Sequence, residues 1–364
     1  MATIAPPQPV QSRQPDPAKL ETFMHKMVGD MGAALSGSLV ITGYKLGLYA
    51  KLAEIGPATS QALADALGLD ERYVREWLSA QAASWFVDYD AETDRFSMNP
   101  EQVMALANED SPVFVAPAFE LIASAYIDEP KITDAFQSGA GVGWHEHHEC
   151  LFRGCEKFFR PGYRANLVSS WLPALEGVVE KLERGGKVGD IGCGAGASTI
   201  IMARAFPNSE FIGFDYHDKS IARAREAAIE EGRPANLSFE VTAAKDASGD
   251  GFDLVCCFDC LHDMGDPVGA ARHVREMLKS DGTFMIVEPM AGDSLAENLN
   301  PVGRMYYSAS TMICTPGSKA QEVGLALGAQ AGEVRMRSIL SEAGFTRTRR
   351  AAETPFNLVI EARP

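Results

Sequence analysis

The sequence lacks any run of about 18 apolar residues, the length a membrane-spanning helix needs. Its first residues also lack the basic-then-apolar pattern of a secretory signal, so the cytoplasm is the expected compartment. Cysteine is sparse and odd in number, with Cys150, Cys155, Cys193, Cys256, Cys257, Cys260 and Cys314 the seven in 364 residues. That excludes a disulfide-stapled secreted scaffold and points to reduced thiols, several serving as small buried apolar groups. Positive charge is short as well. The 33 Lys and Arg face 49 Asp and Glu, a formal charge of −16, so DNA, RNA and anionic membranes would each meet long-range repulsion. A chain of this length with 46% hydrophobic and 23% charged residues suits about two domains, each with a core of its own.

What is present centres on residues 187–217. Val188 to Ile191 reads as a short buried strand, Gly192, Gly194 and Gly196 as a turn with little side-chain bulk, and Ser198 to Ala205 as a helix closed by Pro207. Backbone can approach a ligand closely at such a turn, and the free N–H groups of the following helix point at any anionic group. A second strand, Glu210 to Phe214, brings Asp215 to its carboxyl end, where an acid can accept hydrogen bonds from both hydroxyls of a ribose.

Gly192, Gly194 and Ala197 also satisfy the G-x-G-x-x-A form of a dinucleotide site, which would make the chain a nicotinamide-dependent oxidoreductase. Asp190 disfavours that alternative, because an acid at the mouth of the turn repels a pyrophosphate and attracts a ligand carrying an ammonium and a sulfonium. The run Asp190-Ile-Gly192-Cys-Gly194-Ala-Gly196 resembles the first motif of the class I S-adenosylmethionine-dependent methyltransferases. That resemblance implies that Asp190 and the glycines face the methionine end of S-adenosylmethionine and that Asp215 holds its ribose, with Tyr216 and His217 beside the adenosine.

The N-terminal residues 1–18 carry five prolines and read as a disordered tail, and residues 19–99 as a mainly helical domain. Leu20, Phe23, Met24, Met27, Val28 and Met31 recur at helical spacing, and Leu35 to Leu52 reads as a second apolar helix. Thr59 caps a helix that Gly68 ends, Asp70 caps the next, and Phe86 to Ser97 reads as a hairpin. Helix, turn, helix and hairpin resemble a winged helix, which raises a transcriptional regulator using the cofactor as effector as an alternative. Between Asp70 and Arg95, however, seven acids face three bases, a poor reading head for phosphates. Small-molecule O-methyltransferases resemble this layout and use such a domain for homodimerisation. The overall layout also resembles that of a group of bacterial methyltransferase-type transcriptional regulators.

Residues 100–165 read as a helical linker and substrate lid, with an apolar helix over Val113 to Tyr126 and a flexible Gly-rich turn before Trp144-His145-Glu146-His147-His148-Glu149-Cys150. Familiar metal-ligand spacings are missing there, so the segment is read as a polar, aromatic lining of the substrate pocket rather than a metal site. Tyr163, at the start of a helix expected to run to Glu183, is a cofactor contact by analogy with the family. In residues 166–364, strands at Leu237 to Val241, Phe252 to Phe258 and Thr283 to Glu288 continue the alternation with helices, giving a doubly wound, Rossmann-like sheet. The short Glu-Thr-Pro link between Phe345 to Ala352 and Asn357 to Glu361 leaves no room for a helical crossover, so the seventh strand is expected to be antiparallel. After the third strand this chain reads Thr242-Ala-Ala-Lys-Asp246, where many relatives carry an acid for adenine, leaving Asp246 one turn later, or backbone, to take that role.

The stretch Phe258-Asp259-Cys-Leu-His262-Asp-Met-Gly-Asp266 resembles the His-Asp-x-x-Asp segment of small-molecule O-methyltransferases. That resemblance implies Phe258 and Asp259 near the cofactor, His262 as the base that removes a hydroxyl proton, and Glu288 as its orienting acid. Asp293 to Gly332 is longer than an ordinary connection and reads as a pocket-covering insertion. Its Met305, Tyr306, Tyr307 and Met312, with Met290, form either an adaptable apolar lining or plain core and dimer contacts. A small-molecule acceptor is implied, without a residue that names it.

Overall fold

The computed structural model describes residues 14–364, which form two compact units, one through Gln102 and one from Val103 to Pro364. Most of the proline-rich stretch expected to be disordered lies outside the described residues. Its end does not, because Asp16 caps helix α1 (Pro17–Lys45) by accepting hydrogen bonds from the backbone of Ala18 and Lys19.

In the first unit α1 is one helix through Lys45, where the sequence suggested a break near Leu35. Gly37 and Gly43 are buried along it, and a Cβ at Gly43 would sit 2.4 Å from the Trp77 ring. Small residues thus let α1 dock tightly, and Trp77 Nε1 donates to Leu39 O at 2.9 Å. Then follow α2 (Leu48–Ile55), α3 (Ser60–Leu67) and α4 (Glu71–Ala83). Thr59 and Asp70 cap α3 and α4 as the sequence predicts, and Gly68 terminates α3 with φ of 67°. Strands β1 (Asp88–Asp90) and β2 (Arg95–Ser97) form the antiparallel wing, and Ala58 bridges to Phe96.

After α5 (Pro100–Leu106), the second unit begins with helices. The one expected over Val113 to Tyr126 starts later and runs further, as α6 (Phe119–Ser138), because Pro117 holds residues 116–118 in a 3₁₀ turn first. Helix α7 (Cys150–Asn166) carries Tyr163 and ends in a π-helical turn, Leu167–Trp171. The continuous helix expected through Glu183 is broken by Pro173 and by left-handed Gly177, after which α8 (Val178–Arg184) resumes.

The sheet contains β3 (Lys187–Ile191), β4 (Glu210–Asp215), β5 (Leu237–Val241), β6 (Phe252–Phe258), β7 (Leu278–Pro289), β8 (Arg347–Glu353) and β9 (Asn357–Arg363). Their spatial order is β5-β4-β3-β6-β7-β9-β8, parallel except that β9 runs antiparallel to both neighbours. Strand residues alternate between two apolar layers. Val188, Leu254, Cys256, Met285 and Val287 pack on one face with Leu167, Trp171, Leu182 and Met202. Ile191, Val255, Cys257 and Ile286 pack on the other with Ala271, Val274, Met336 and Leu340. Burial on both faces explains why these strands read as continuous apolar runs. The connecting helices include α9 (Ala197–Ala205), α10 (Asp218–Glu230) and α11 (Pro267–Met277). The insertion after β7 is helical, with α12 (Pro301–Ala309), a π-helical turn at Ser310–Cys314 and α13 (Thr315–Lys319), and α14 (Gly332–Glu342) follows.

Candidate active site

The glycine turn sits at the carboxyl end of β3, beside the point where strand order reverses between β3 and β6. Gly192, Gly194 and Gly196 all have positive φ, at 70°, 52° and 78°. Asp215 pins the turn, because one carboxylate oxygen accepts from Gly194 N–H at 2.9 Å and the other from His217 N–H at 2.8 Å. Burial raises its pKa, opposed by these two backbone donors.

Asp190 is fully buried on β3. Its Oδ2 accepts from Ser198 Oγ at 2.6 Å and Thr199 Oγ1 at 2.7 Å, both at the start of α9. Its Oδ1 is buried and has no hydrogen-bond partner among the described residues. Burial pushes this carboxyl up to about 6, with the two hydroxyls pulling the other way. A half-satisfied buried carboxylate beside bare glycine backbone suits a ligand that carries a positive group. His217 is buried, bonded through Nδ1 to Ser220 Oγ at 2.8 Å and packed on the Phe152 ring 4.8 Å away. Tyr216 is partly exposed, and Asp246 lies exposed in the 3₁₀ turn after β5.

Across the crevice, Asp259 follows β6 with a positive φ of 50°. It accepts from Tyr163 Oη at 3.0 Å and from Asn357 Nδ2 at 3.2 Å, while Phe258 packs against the Tyr163 ring. Burial first, and then the Glu288 charge, push Asp259 up to about 8. Tyr163, Asp259 and Asn357 therefore form one unit from three distant stretches of chain. Asn357 escaped the sequence reading because only the antiparallel course of β9 carries it there, whereas Ser198 and Thr199 directly follow the glycines and could have been read as partners for Asp190.

His262 lies in a buried 3₁₀ turn, Leu261–Asp263. Its Nδ1 bonds to Glu288 Oε2, and Glu288 Oε1 accepts from Leu261 N–H at 3.1 Å. Glu288 thus holds both the ring of His262 and the backbone of its turn. His262 Nε2 lies 3.1 Å from Asp263 Oδ1, an oxygen that has no aligned hydrogen-bond partner among the described residues. Burial by itself would lower the imidazole's pKa, but the Asp263 and Glu288 carboxylates overcome it and hold the ring well above its ordinary range.

The Trp144–Cys150 segment does not gather its histidines. His147 Nδ1 is tied to buried Asp128 at 3.1 Å, and Asp128 also accepts from Lys131 and from His148 N–H. Trp144 and Phe152 instead pack on a cluster of Leu151, Tyr306, Ile313 and Cys314, joined by Met312. Tyr306 is buried and donates to Phe356 O at 2.8 Å, while Met305 is partly exposed.

Residues 182–344 match the methyltransferase domain family, and residues 33–108 match an Rv2258c-like winged HTH domain. Among curated relatives, the ubiquinone biosynthesis O-methyltransferase of Nitrosospira multiformis is 27% identical over 46% of this chain and 72% of its own length. The enzyme of the same name from Paracidovorax citrulli is 31% identical over 35% and 52%, and that of Haemophilus ducreyi 28% over 28% and 44%. The chain therefore spans about half the length of the curated relatives it matches. Human N-acetylserotonin methyltransferase in complex with S-adenosylmethionine superposes over 97% of this chain and 99% of its own, with TM-score 0.69 and 16% identity. An O-methyltransferase family protein from Burkholderia thailandensis covers 96% and 99% at TM-score 0.66 and 16% identity. At such identity the likeness shows the fold.

Sheet order, glycine turn and domain match together define the class of S-adenosylmethionine-dependent methyltransferases. Within the chain, residues 182–344 carry the methyltransferase-domain match and residues 33–108 the match to an Rv2258c-like winged HTH domain. The unpartnered Asp190 oxygen and the bare glycine turn fit the family's cofactor.

Proposed function

We propose that the chain transfers a methyl group to a hydroxyl of a small molecule, with His262 as general base and Glu288 as its positioning acid. When bound, S-adenosylmethionine supplies an electrophilic methyl group on a sulfonium. In this reading Asp190 and Gly192, Gly194 and Gly196 receive its methionine end, Asp215, Tyr216 and His217 its ribose and adenosine, and Asp246 the adenine. Tyr163, Phe258 and Asp259 close the opposite wall.

The observation that carries the reading is the grip of Glu288 on His262 Nδ1, which leaves Nε2 as the nitrogen that can take a proton. The charge gained on protonation meets carboxylates on both sides, and a base with a raised pKa has a stronger driving force against a hydroxyl. Trp144, Phe152 and the Tyr306 to Cys314 segment supply an apolar lining, which supports a flat acceptor and supports residues 100–165 as its cover. The test is His262→Ala, with turnover falling at least about 10²-fold while cofactor affinity is retained. Equal loss of cofactor binding would mark a structural residue and sink the base assignment.

A homodimer is part of the same proposal. Phe23, Met24, Val28, Met31 and Leu35 are exposed along α1, a stripe that a second copy of that helix would cover. Seven free cysteines support a reducing, cytoplasmic setting, and no described helix is long and apolar enough to cross a membrane. Nucleic acid is not the partner we propose, because Arg72 and Arg75 on α4 are already paired with Glu76 and Glu71.

A further inference from the structure

Beyond the methyl-transfer reading, the rim around His262 holds a second set of donors. Among the described residues, one group of three His, Cys, Asp or Glu side chains converges within 4.8 Å, namely His262, Asp263 and Cys314. His262 and Asp263 come from the turn after β6, and Cys314 closes the π-helical turn between α12 and α13. A π-turn re-aims the side chains around it and often marks a functional position in a helix.

We propose that His262 Nε2, Asp263 Oδ1 and Cys314 Sγ form a site for a borderline-soft divalent cation, zinc above all. Three features argue for it. The donor set mixes imidazole, thiol and carboxylate, which suits zinc and does not suit magnesium or calcium. The Asp263 oxygen is buried without an aligned hydrogen-bond partner. Glu288 on His262 Nδ1 is the outer carboxylate that metal-binding histidines have, and it turns Nε2 toward Asp263 Oδ1, 3.1 Å away. A tetrahedral zinc with bonds of about 2.0–2.3 Å separates its ligand atoms by roughly 3.3–3.8 Å, so the donors close by only about 1 Å. On coordination the thiol proton and the proton on His262 Nε2 both pass to solvent, so the sulfur binds as thiolate and the imidazole through its Nε2 lone pair. Three protein ligands leave a fourth position for water.

The functional consequence rests on the base assignment of His262. A cation on Nε2 occupies the lone pair that takes the acceptor's proton, so zinc acts as an inhibitor that chelation reverses.

The deciding experiment needs no acceptor and reads metal alone. Equilibrium dialysis of the full chain against zinc chloride is expected to give one ion per chain, weakened at least tenfold in Cys314→Ser and unchanged in Cys150→Ser. Cobalt(II) in place of zinc is expected to show a thiolate-to-metal absorption band that Cys314→Ser lacks. Retained S-adenosylmethionine binding by Cys314→Ser certifies its fold. Undiminished zinc binding by Cys314→Ser, or a cobalt spectrum without the band, overturns the site. Metal bound as expected, with no inhibition in a separate turnover assay with an acceptor, leaves the site standing and removes the base assignment instead.

Discussion

The two walls of the crevice solve the burial of charge in opposite ways. On the cofactor wall, Asp190 and Asp215 are held by groups close in sequence, Ser198, Thr199, Gly194 and His217, and Asp190 keeps one oxygen unsatisfied. On the catalytic wall, His262 sits between Glu288 and Asp263, so each charge already meets its opposite within the protein. A buried charge left half-paired calls for a ligand to complete it, whereas a paired one can gain and lose a proton in place. In the proposed function the first wall therefore binds the cofactor and the second holds the base.

Crossed substitutions test that division. His262→Ala is expected to have the largest effect, a fall in kcat of about 10²- to 10⁴-fold with the dissociation constant for S-adenosylmethionine within a few-fold of wild type. Asp190→Asn is the converse. Loss of a buried charge partner costs about 2–4 kcal/mol, or roughly 30- to 1,000-fold in cofactor affinity by calorimetry. If both variants lost affinity equally, the two walls would not be separate in function.

The pH response follows from the same asymmetry. Asp190 stands near 6 in the folded protein, above its unfolded value, so folding favours its protonated form. Its contribution to stability is full below the unfolded pKa of about 4 and is lost as pH rises through about 6. Asp259, pushed up to about 8, acts in the same direction over a wider window. The free protein is therefore expected to lose stability from about pH 4 to 8, while cofactor affinity weakens by up to about tenfold per unit below pH 6 as Asp190 protonates. Thermal midpoints with and without S-adenosylmethionine across this range test both halves, and cofactor stabilisation that does not grow with pH would detach Asp190 from the cofactor.

The same contrast decides what was legible in the sequence. The cofactor wall is built from one strand, its turn, one helix and the next strand, so Asp190, the glycines and Asp215 could be placed by spacing alone. Strand alternation was legible for the same reason, since each apolar run is flanked by turn residues. Helix ends were less so. Pro173 and Gly177 break a pattern that periodicity alone carries through, and Gly43 looks like a break in α1 but serves close packing against Trp77. The catalytic wall unites residues 163, 259 and 357, and then 262, 288 and 314, whose meeting depends on sheet order and on a π-turn. No spacing rule joins such positions, so Asn357 and Cys314 carried no signal.

The smallest expected effect probes why Asp190 is held on one side only. Ser198→Ala removes one of the two hydroxyls that favour the ionised carboxylate and leaves Thr199 in place. A single such bond is worth about 1 kcal/mol, so cofactor affinity should fall by up to about fivefold where Asp190 is largely protonated, below about pH 6. Because the lost donor had been lowering the Asp190 pKa, the deficit should widen below pH 7 and shrink toward pH 8, where the carboxylate is ionised in either protein. A uniform loss at every pH would instead mean that Ser198 shapes the turn and does not tune the charge. In that case the unsatisfied oxygen of Asp190 alone would carry the attraction for the cofactor's ammonium.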